Sequence, residues 1–200
     1  MAAVMRAPTA GDTDAAIIRR SGLEPECFAA IFDRYYPQIH RYAARRLGHS
    51  LADDVAAETF LIAFARRDAY DVSWPSCRAW LYGITSHLIS GHHRAEQRRY
   101  RAMARVGTDT VSDGLADQVA RRVDAGTRRA ALMTALAGIA QGDRDVLLLV
   151  ACADLNSEET GQALGIPAGT ARSRLHRARR QIRAALGEAA RPVNGKDYLL

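Results

Sequence analysis

The sequence of 200 residues lacks the features that mark secreted and membrane proteins. Its three cysteines, Cys27, Cys77 and Cys152, are scattered without a CxxC pair, which argues against a disulfide framework and suits a reducing cytosol. The longest strictly apolar run, residues 146–153, is far too short to span a bilayer. The amino terminus has no hydrophobic stretch long enough for a secretory signal. We therefore expect a soluble, cytoplasmic protein.

Lysine is almost absent. Of the 28 basic residues, all but Lys196 are arginine, and the chain has a net charge of +6 and a pI near 9.6. This charge favours a polyanionic partner. Because genome composition also affects arginine content, we give more weight to where the arginines cluster than to their number.

Strand-like alternation is also missing, and apolar residues recur at helical spacing along most of the chain. The sequence therefore predicts an all-α fold. The first strong pattern places four side chains on one helix face: Phe28, Ile31, Phe32 and Tyr35. Pro37 is expected to break this helix before a second one begins.

The predicted third helix, residues 52–66, is apolar around most of its circumference. A surface helix needs only one apolar stripe, so this helix is either fully buried or has a second face for a partner. Burial is the simpler interpretation of composition alone. Asp53, Asp54 and Glu58 lie in the early turns, where carboxylates suit the helix dipole.

Residues 67–76 are most simply a loop, and a fourth helix with a basic far end is predicted from about Cys77 to Arg99. Residues 107–117 lack apolar periodicity and are predicted to be a linker. Helical pattern returns by about Arg121. Gly142 is expected to stop that helix, and Asp143 is expected to cap the next one.

Residues 153–183 have the pattern of a helix, a tight turn and a second helix. Asn156 and Glu159 have the spacing of a capping box, Gly165 suits the left-handed turn, and Pro167 suits the start of the next helix. In that helix an apolar stripe recurs at i, i+4, i+7 and i+11: Ala171, Leu175, Ala178 and Ile182. Six arginines and no acidic residue lie between positions 172 and 183.

A helix of this kind can pack on a core while it presents basic groups to a DNA major groove. The alternative is a solvated charged helix. Charge of one sign on a short helix repels itself unless a polyanion is near, so we predict DNA binding.

Three segments together resemble the extracytoplasmic-function (group 4) type of bacterial RNA polymerase sigma factor. They are FAAIFDRYYPQIHRYAARRL with DDVAAETFLIAF, then RAWLYGITSHLISGHHR, and then GDRDVLLLVACADLNSEETGQALGIPAGTARSRLHRARRQIR. Their order and the linker between them make the resemblance specific, and it covers residues 25 to 187. It implies a protein that binds core RNA polymerase and directs promoter recognition, DNA melting and transcription initiation.

The resemblance implies a role for each segment. Helix 52–66 would dock on the coiled coil of the polymerase clamp. Its polymerase-binding residues would be Asp54, Glu58, Phe60, Leu61 and Ile62. The middle segment would recognise and melt the downstream (−10) element. Its DNA-binding residues would be Tyr70, Trp74, His87, His92, Arg94 and Arg98.

Helix 167–183 would recognise the upstream (−35) element. Its DNA-binding residues would be Arg172, Ser173, Arg174, His176, Arg177 and Arg180. Such sigma factors are commonly held inactive by an anti-sigma factor between the two domains, so an unidentified anti-sigma partner is also expected.

The predicted architecture is two small helical domains joined by a flexible linker. The divisions are a loosely held extension at 1–22, a sigma region 2-like domain at 23–104, the linker at 105–124, a sigma region 4-like helix-turn-helix domain at 125–187, and a tail at 188–200.

Two other functions are considered. A conventional helix-turn-helix activator or repressor would explain residues 153–183 but would leave the WLYGI and ETF segments without a role. An enzyme could use Asp53, Asp54 and Glu58 with His87, His92 and His93. Adjacent histidines cannot share one helix face, and no HExxH, phosphate loop or nucleophile elbow is present. We expect no catalytic residue, no metal and no cofactor.

Overall fold

The computed structural model describes residues 12–106, 135–136 and 138–189, with side chains described for 12–92, 135–136 and 138–187. Within these residues the regular structure is entirely helical, which confirms the all-α prediction. The α-helices are α1 (Asp14–Ser21), α2 (Ala29–Leu47), α3 (His49–Ala65), α4 (Arg78–Val106), α5 (Gln141–Ala153), α6 (Ser157–Leu164) and α7 (Ala168–Ala189). Short 3₁₀ turns occupy Pro25–Phe28 and Arg67–Ala69. The predicted linker at 107–117 lies outside the described residues.

The expectation that residues 1–22 form a loosely held extension is wrong for α1. Ile17 and Ile18 are 1% and 2% exposed and belong to the main core. The carboxylate of Asp14, also buried, accepts hydrogen bonds from the hydroxyl of Tyr35 at 2.5 Å and from the backbone nitrogen of Cys77 at 2.9 Å, and it pairs with Arg34. The segment has only two large apolar side chains, Ile17 and Ile18, which are too few to predict this anchoring from periodicity.

The helix break expected at Pro37 is also wrong, because α2 continues through this residue from Ala29 to Leu47. A proline inside a helix removes one backbone hydrogen bond. Buried side chains on both sides, Tyr35 and Ile39, hold the two halves on one core face, while Pro37 itself is exposed. The packing of these buried side chains therefore outweighs the free-energy cost of the backbone hydrogen bond that Pro37 removes.

Helix α3 lies against α2 and α4 and buries one of its faces fully. Its buried residues are Ala52, Val55, Ala56, Thr59, Phe60 and Ala63. The helix begins at His49, three residues before the predicted start, so Asp53 and Asp54 lie in its second turn. Thr59 donates to the carbonyl of Val55, and its hydroxyl lies 3.2 Å from that of Thr85 on α4.

The helix-turn-helix prediction is confirmed in detail. Both halves of the capping box form: the side chain of Asn156 accepts from the backbone of Glu159, and Glu159 accepts from the backbone of Asn156. Gly165 has a positive φ of 62°. Gly161 allows the turn to close tightly, because a Cβ there would lie 2.7 Å from the carbonyl oxygen of Ile166.

The two helical parts of the chain touch each other. Leu149, Ala153 and Leu155 belong to the same apolar cluster as the buried residues of α1 to α4, and α6 packs on α4. The linked domains expected from the sequence therefore share one continuous core in this structure.

We predict that α1 contributes to stability as a packed element. Ile17→Ala should lower the free energy of unfolding by about 2–5 kcal/mol, because it leaves a cavity in the core. Leu23→Ala, at a side chain that is 91% exposed, should change it by less than about 0.5 kcal/mol. Urea unfolding followed by circular dichroism makes the comparison. Equal midpoints for the two variants would mean that α1 is loosely held after all.

Candidate nucleic-acid interface

Helix α7 has the two-sided character that its sequence predicts. Ala171 and Ala178 are 1% and 0% exposed, and Leu175 and Ile182 are half-buried. The predicted DNA-facing residues Arg172, Ser173, His176, Arg177 and Arg180 are all exposed. Packing against α5 and α6 holds the apolar side, so the basic side points away from the domain.

Arg174 differs from its neighbours on α7 because it is half-buried. Its guanidinium lies over the start of α5, where a Cβ on Gly142 would come within 2.8 Å of Nη1. A side chain at position 142 would displace this arginine. Gly142, expected only as a helix stop, thus makes room for Arg174 at the edge of the basic surface.

Arg177 forms a bidentate salt bridge with Asp143, and the sequence did not predict this pair. Its Nη2 donates to Oδ1 of Asp143 at 2.8 Å, and its Nε donates to Oδ2. The side chain of Asp143 is only 6% exposed, whereas that of Arg177 is 50% exposed. Hydrogen bonds from Arg177 lower the pKa of Asp143. The guanidinium is therefore held in one orientation at the rim of the exposed face.

Asp143 was expected to be the cap of α5, and this is wrong. The helix begins at Gln141 with Ala140 as its N-cap, so Asp143 lies in the first turn. Its carboxylate binds an arginine that is 34 positions away. The sequence carries no signal for a pair so distant, because any of the six arginines of α7 could have been the partner.

The outer side of α3 carries most of the residues predicted to bind polymerase. Asp54 and Glu58 are exposed, Ile62 is half-buried, and Leu61 is 69% exposed. Phe60 requires a correction, because it is 5% exposed and belongs to the core. The helix turns its side chain inward, so Phe60 supports this surface from beneath.

An aromatic ladder on α2 continues the same surface and was missed. It consists of Phe32, Tyr36 and His40. The rings of Phe32 and Tyr36 stack 4.8 Å apart, and Phe32 meets Phe60 edge-on at 5.0 Å. Asp53 on α3 accepts from Tyr36 at 3.3 Å and lies 3.1 Å from Nε2 of His40. The i, i+4, i+8 spacing could have revealed the ladder, but Phe32, 40% exposed, was grouped instead with Phe28, Ile31 and Tyr35 on one helix face.

The loop between α3 and α4 exposes only one of its two predicted aromatic side chains, Trp74. Tyr70 is 6% exposed, donates its hydroxyl to the carbonyl of Trp74 at 2.6 Å, and packs on Trp80. It is therefore a core residue and not an exposed pocket wall. Burial raises the pKa of Tyr70. Trp74 is 36% exposed, and its neighbour Val72, which was not predicted, is 50% exposed.

The remaining predicted DNA contacts lie along α4. His87 is exposed and His92 is half-buried. The side chains of Arg94 and Arg98 lie outside the described residues. Tyr82 is 2% exposed, and its ring meets Tyr42 edge-on.

Neither a metal site nor a membrane span is found where the structure describes the chain. No three histidine, cysteine or acidic side chains in that part are arranged to hold an ion. None of its helices has the length and apolar character needed to cross a bilayer.

Two family profiles match this arrangement. Sigma-70 region 2 matches residues 31–99, which run from α2 into α4. Sigma-70 region 4 matches residues 129–182, which include α5, α6 and most of α7.

Curated relatives match over most of the chain. The ECF RNA polymerase sigma factor SigW of Bacillus subtilis (strain 168) is 29% identical over 172 residues, which cover 82% of this chain and 90% of SigW. The ECF RNA polymerase sigma factor SigL of Mycobacterium tuberculosis is 29% identical over 166 residues, which cover 82% of this chain and 92% of SigL.

Solved structures share the fold. CnrH, in complex with the cytosolic domain of CnrY, matches with a TM-score of 0.62 and 22% identity over 90% of this chain and 100% of CnrH. The sigma factor RpoE from Bartonella quintana, in complex with the anti-sigma factor NepR, matches with a TM-score of 0.56 and 20% identity over 84% of this chain and 98% of RpoE.

A helix-turn-helix whose second helix exposes a row of arginines is typical of DNA-binding proteins. The chain belongs to the sigma-70 family and is an RNA polymerase sigma factor of the extracytoplasmic-function type. The conventional helix-turn-helix regulator considered from the sequence is wrong, because residues 31–99 match the region 2 domain.

We predict that the Arg177–Asp143 pair contributes stability that acid removes. The folded-state pKa of Asp143 is lowered, so the contribution is full above the unfolded pKa of about 3.9 and is lost as the pH falls through the folded value. Thermal unfolding should show Asp143→Asn below wild type at pH 7, with the gap closing toward pH 3. Asp54→Asn, at an exposed site, is the control. A gap that stays constant across this range would contradict the assignment.

Proposed function

We propose that this sigma factor reads the upstream (−35) element with the exposed face of α7. The observation that carries this proposal is the row of exposed basic and polar side chains on a helix whose other side is buried. Arg172 and Arg177 are the candidates for guanine, since a guanidinium pairs with two acceptors on that base. Ser173 and His176 lie on the same face, and Arg180 and Arg174 would hold phosphates. The contact between Asp143 and Arg177 supports this role by fixing the guanidinium before DNA arrives.

The polymerase-binding surface in this proposal spans two helices. Asp54, Glu58, Leu61 and Ile62 of α3 would contact the clamp coiled coil. The aromatic ladder of α2 would extend the contact, because its rings pack on Phe60 directly beneath α3. Interface energy is usually concentrated in a few large side chains, and Leu61 is the most exposed apolar residue of α3.

The downstream (−10) element would be melted at α4 and the loop before it. Unstacked bases are stabilised by aromatic faces and a basic path for the backbone. Trp74 provides the exposed ring, and Tyr70 fixes the loop by donating its hydroxyl hydrogen bond to the carbonyl oxygen of Trp74. His87 and His92 follow on α4, and Arg94 and Arg98 are the sequence-based candidates for phosphate contacts.

Other parts of the proposal concern partners and chemistry. Polymerase supplies the catalytic groups, and this chain supplies binding only, in the cytoplasm. The two solved structures described above are complexes with another protein, and one of these partners, NepR, is named an anti-sigma factor. We include an anti-sigma partner for this chain on that basis.

A run-off transcription assay with purified core polymerase tests the proposed promoter function. Promoters mapped from transcript start sites after overproduction of the protein serve as templates. Transcripts should require both this protein and an intact upstream element. Tight duplex binding without any polymerase-dependent transcript would contradict the proposal.

We predict that Leu61→Arg lowers affinity for core polymerase at least tenfold, because it places a charge at the centre of an apolar contact. Leu23→Arg is the matched control, since Leu23 is 91% exposed and lies outside α3, after the end of α1. Affinity is measured by fluorescence anisotropy of the labelled protein titrated with core polymerase. Equal affinities for the two variants would remove α3 from the interface.

We predict that Asp143 affects base choice through Arg177. Arg177→Ala should lower the preference for the native over a scrambled upstream element by about tenfold, in line with 1–3 kcal/mol for a paired guanine. Asp143→Ala should lower the same preference by a smaller factor, and the double variant should match Arg177→Ala. Run-off yields from the two templates give the preference. Additive losses would show that Asp143 does not act through Arg177.

A further inference from the structure

The loop that carries Trp74 is fastened at its carboxyl end by a buried acid from another helix. Oδ2 of Asp14 on α1 accepts the backbone N–H of Cys77 at 2.9 Å, although the two residues are 63 positions apart. Cys77 lies directly before α4, which begins at Arg78. Backbone N–H groups at the start of a helix have no partner within it. The carboxylate of Asp14 therefore satisfies one of these groups at the point where the loop ends and α4 begins.

A chain of hydrogen bonds joins the same carboxylate to the loop a second time. The hydroxyl of Tyr35 on α2 donates to Oδ2 of Asp14 at 2.5 Å, which uses its one proton. In the contact of 3.2 Å between Tyr35 and Ser76, the donor must then be Ser76. Oγ of Ser76 in turn accepts the backbone N–H of Arg78 at 3.3 Å. The negative charge of Asp14 thus sets the direction of every bond in the chain.

The buried carboxylate has partners for both of its oxygens. Oδ1 of Asp14 pairs with Arg34, and Oδ2 receives Tyr35 and Cys77. A buried charge is tolerated in a protein when it is paired and hydrogen-bonded. Burial raises the pKa of Tyr35, and the hydrogen bond to Asp14 raises it further. Tyr35 therefore keeps the proton that it donates.

The exposed tip of the loop is a short turn with local hydrogen bonds. Oδ1 of Asp71 accepts the N–H of Ser73 at 3.0 Å, and the carbonyl of Asp71 accepts the N–H of Trp74 at 3.1 Å. These bonds fix the shape of the turn but not its place on the domain. That place is set on one side by Tyr70, which donates to the carbonyl of Trp74, and on the other side by the bonds that converge on Asp14.

We propose that Asp14 is a positioning residue for promoter melting. Through Cys77 and through the chain of Tyr35 and Ser76, it holds the loop that presents Trp74 to an unstacked base. A loop that is already ordered loses less conformational entropy when it binds than a mobile one does. The consequence for melting rests on the proposed function of this loop and α4, whereas the ordering of the loop does not.

Three variants of the full-length chain test the proposal. Asp14→Asn removes the charge at almost constant volume, and Tyr35→Phe removes only the hydroxyl in the middle of the chain. Ile18→Val is the matched control, because it trims the buried face of the same helix and leaves all of these hydrogen bonds in place. Circular dichroism checks that each variant is folded. If Asp14→Asn does not fold, Tyr35→Phe alone decides, since it leaves the pair of Asp14 and Arg34 intact.

Fluorine NMR of protein labelled with fluorotryptophan measures the order of the loop. The chain has two tryptophans, and Trp74→Phe identifies the signal of Trp74. That signal should shift and broaden in Asp14→Asn and in Tyr35→Phe, and it should match wild type in Ile18→Val. An unchanged Trp74 signal in the folded variants would overturn the proposal.

Promoter opening is then measured with holoenzyme assembled from core polymerase and each variant. The templates are promoters mapped from transcript start sites, and permanganate oxidation of unpaired thymines follows opening. Asp14→Asn and Tyr35→Phe should slow opening by about fivefold or more, the change expected from one or two lost bonds. Ile18→Val should stay within about twofold of wild type. Affinity for core polymerase should not change in any of the three variants, because α3 is untouched.

The two measurements separate the proposal from the function on which it rests. A changed Trp74 signal with an unchanged rate of opening would overturn the role of Asp14 in melting. Equal slowing in Ile18→Val would also overturn it, because the packing of α1 and not the carboxylate would then be responsible. If wild-type protein opened no promoter, the proposed function would fail, and the Trp74 signal would still show whether Asp14 orders the loop.

Discussion

The buried hydroxyl of Tyr42 is the point on which the helices of both domains converge. It lies 3.2 Å from the hydroxyl of Ser86 on α4 and accepts a hydrogen bond from Arg46, which in turn pairs with Asp145. A buried polar group without a hydrogen-bond partner lowers the free energy of unfolding by about 1–3 kcal/mol. Tyr42 is 1% exposed, so its position constrains α2, α4 and α5 together.

The proposed binding surfaces are the sides of α2, α3 and α7 that remain exposed once the helices pack on the core. Since α2, α3 and α4 bury their inner faces against each other, Leu61 and the aromatic ladder remain outside on one side of the domain. Packing of Ala171 and Ala178 orients α7 so that its arginines point away from the core. The two proposed binding surfaces therefore differ in character: that of α7 is basic, and that of α3 combines exposed apolar area at Leu61 with the carboxylates of Asp54 and Glu58.

Local sequence patterns were sufficient to predict features whose interacting residues lie within a few helical turns of each other. The capping box of Asn156 and Glu159, the left-handed Gly165 and the apolar stripe of α7 were all predicted because each depends on near neighbours in the chain. Residues whose role depends on distant partners were not. Phe60 and Tyr70 were assigned to binding and lie in the core, while Phe32 was grouped on one helix face with Ile31 and Tyr35 but is 40% exposed. Pro37 was expected to end a helix that packing keeps intact.

The amino-acid sequence by itself determined the all-α class, the helix-turn-helix and the membership of the sigma factor family, because periodicity, caps and family motifs are local or ordered along the chain. Only the tertiary structure decided that Asp14 anchors α1, that Asp143 holds Arg177, and that Gly83 admits α6 onto α4. The contacts of Asp14 and Asp143 join residues 20 to 63 positions apart, and the contact at Gly83 brings two backbones together at a missing side chain. Both kinds depend on packing in three dimensions, which no local pattern encodes.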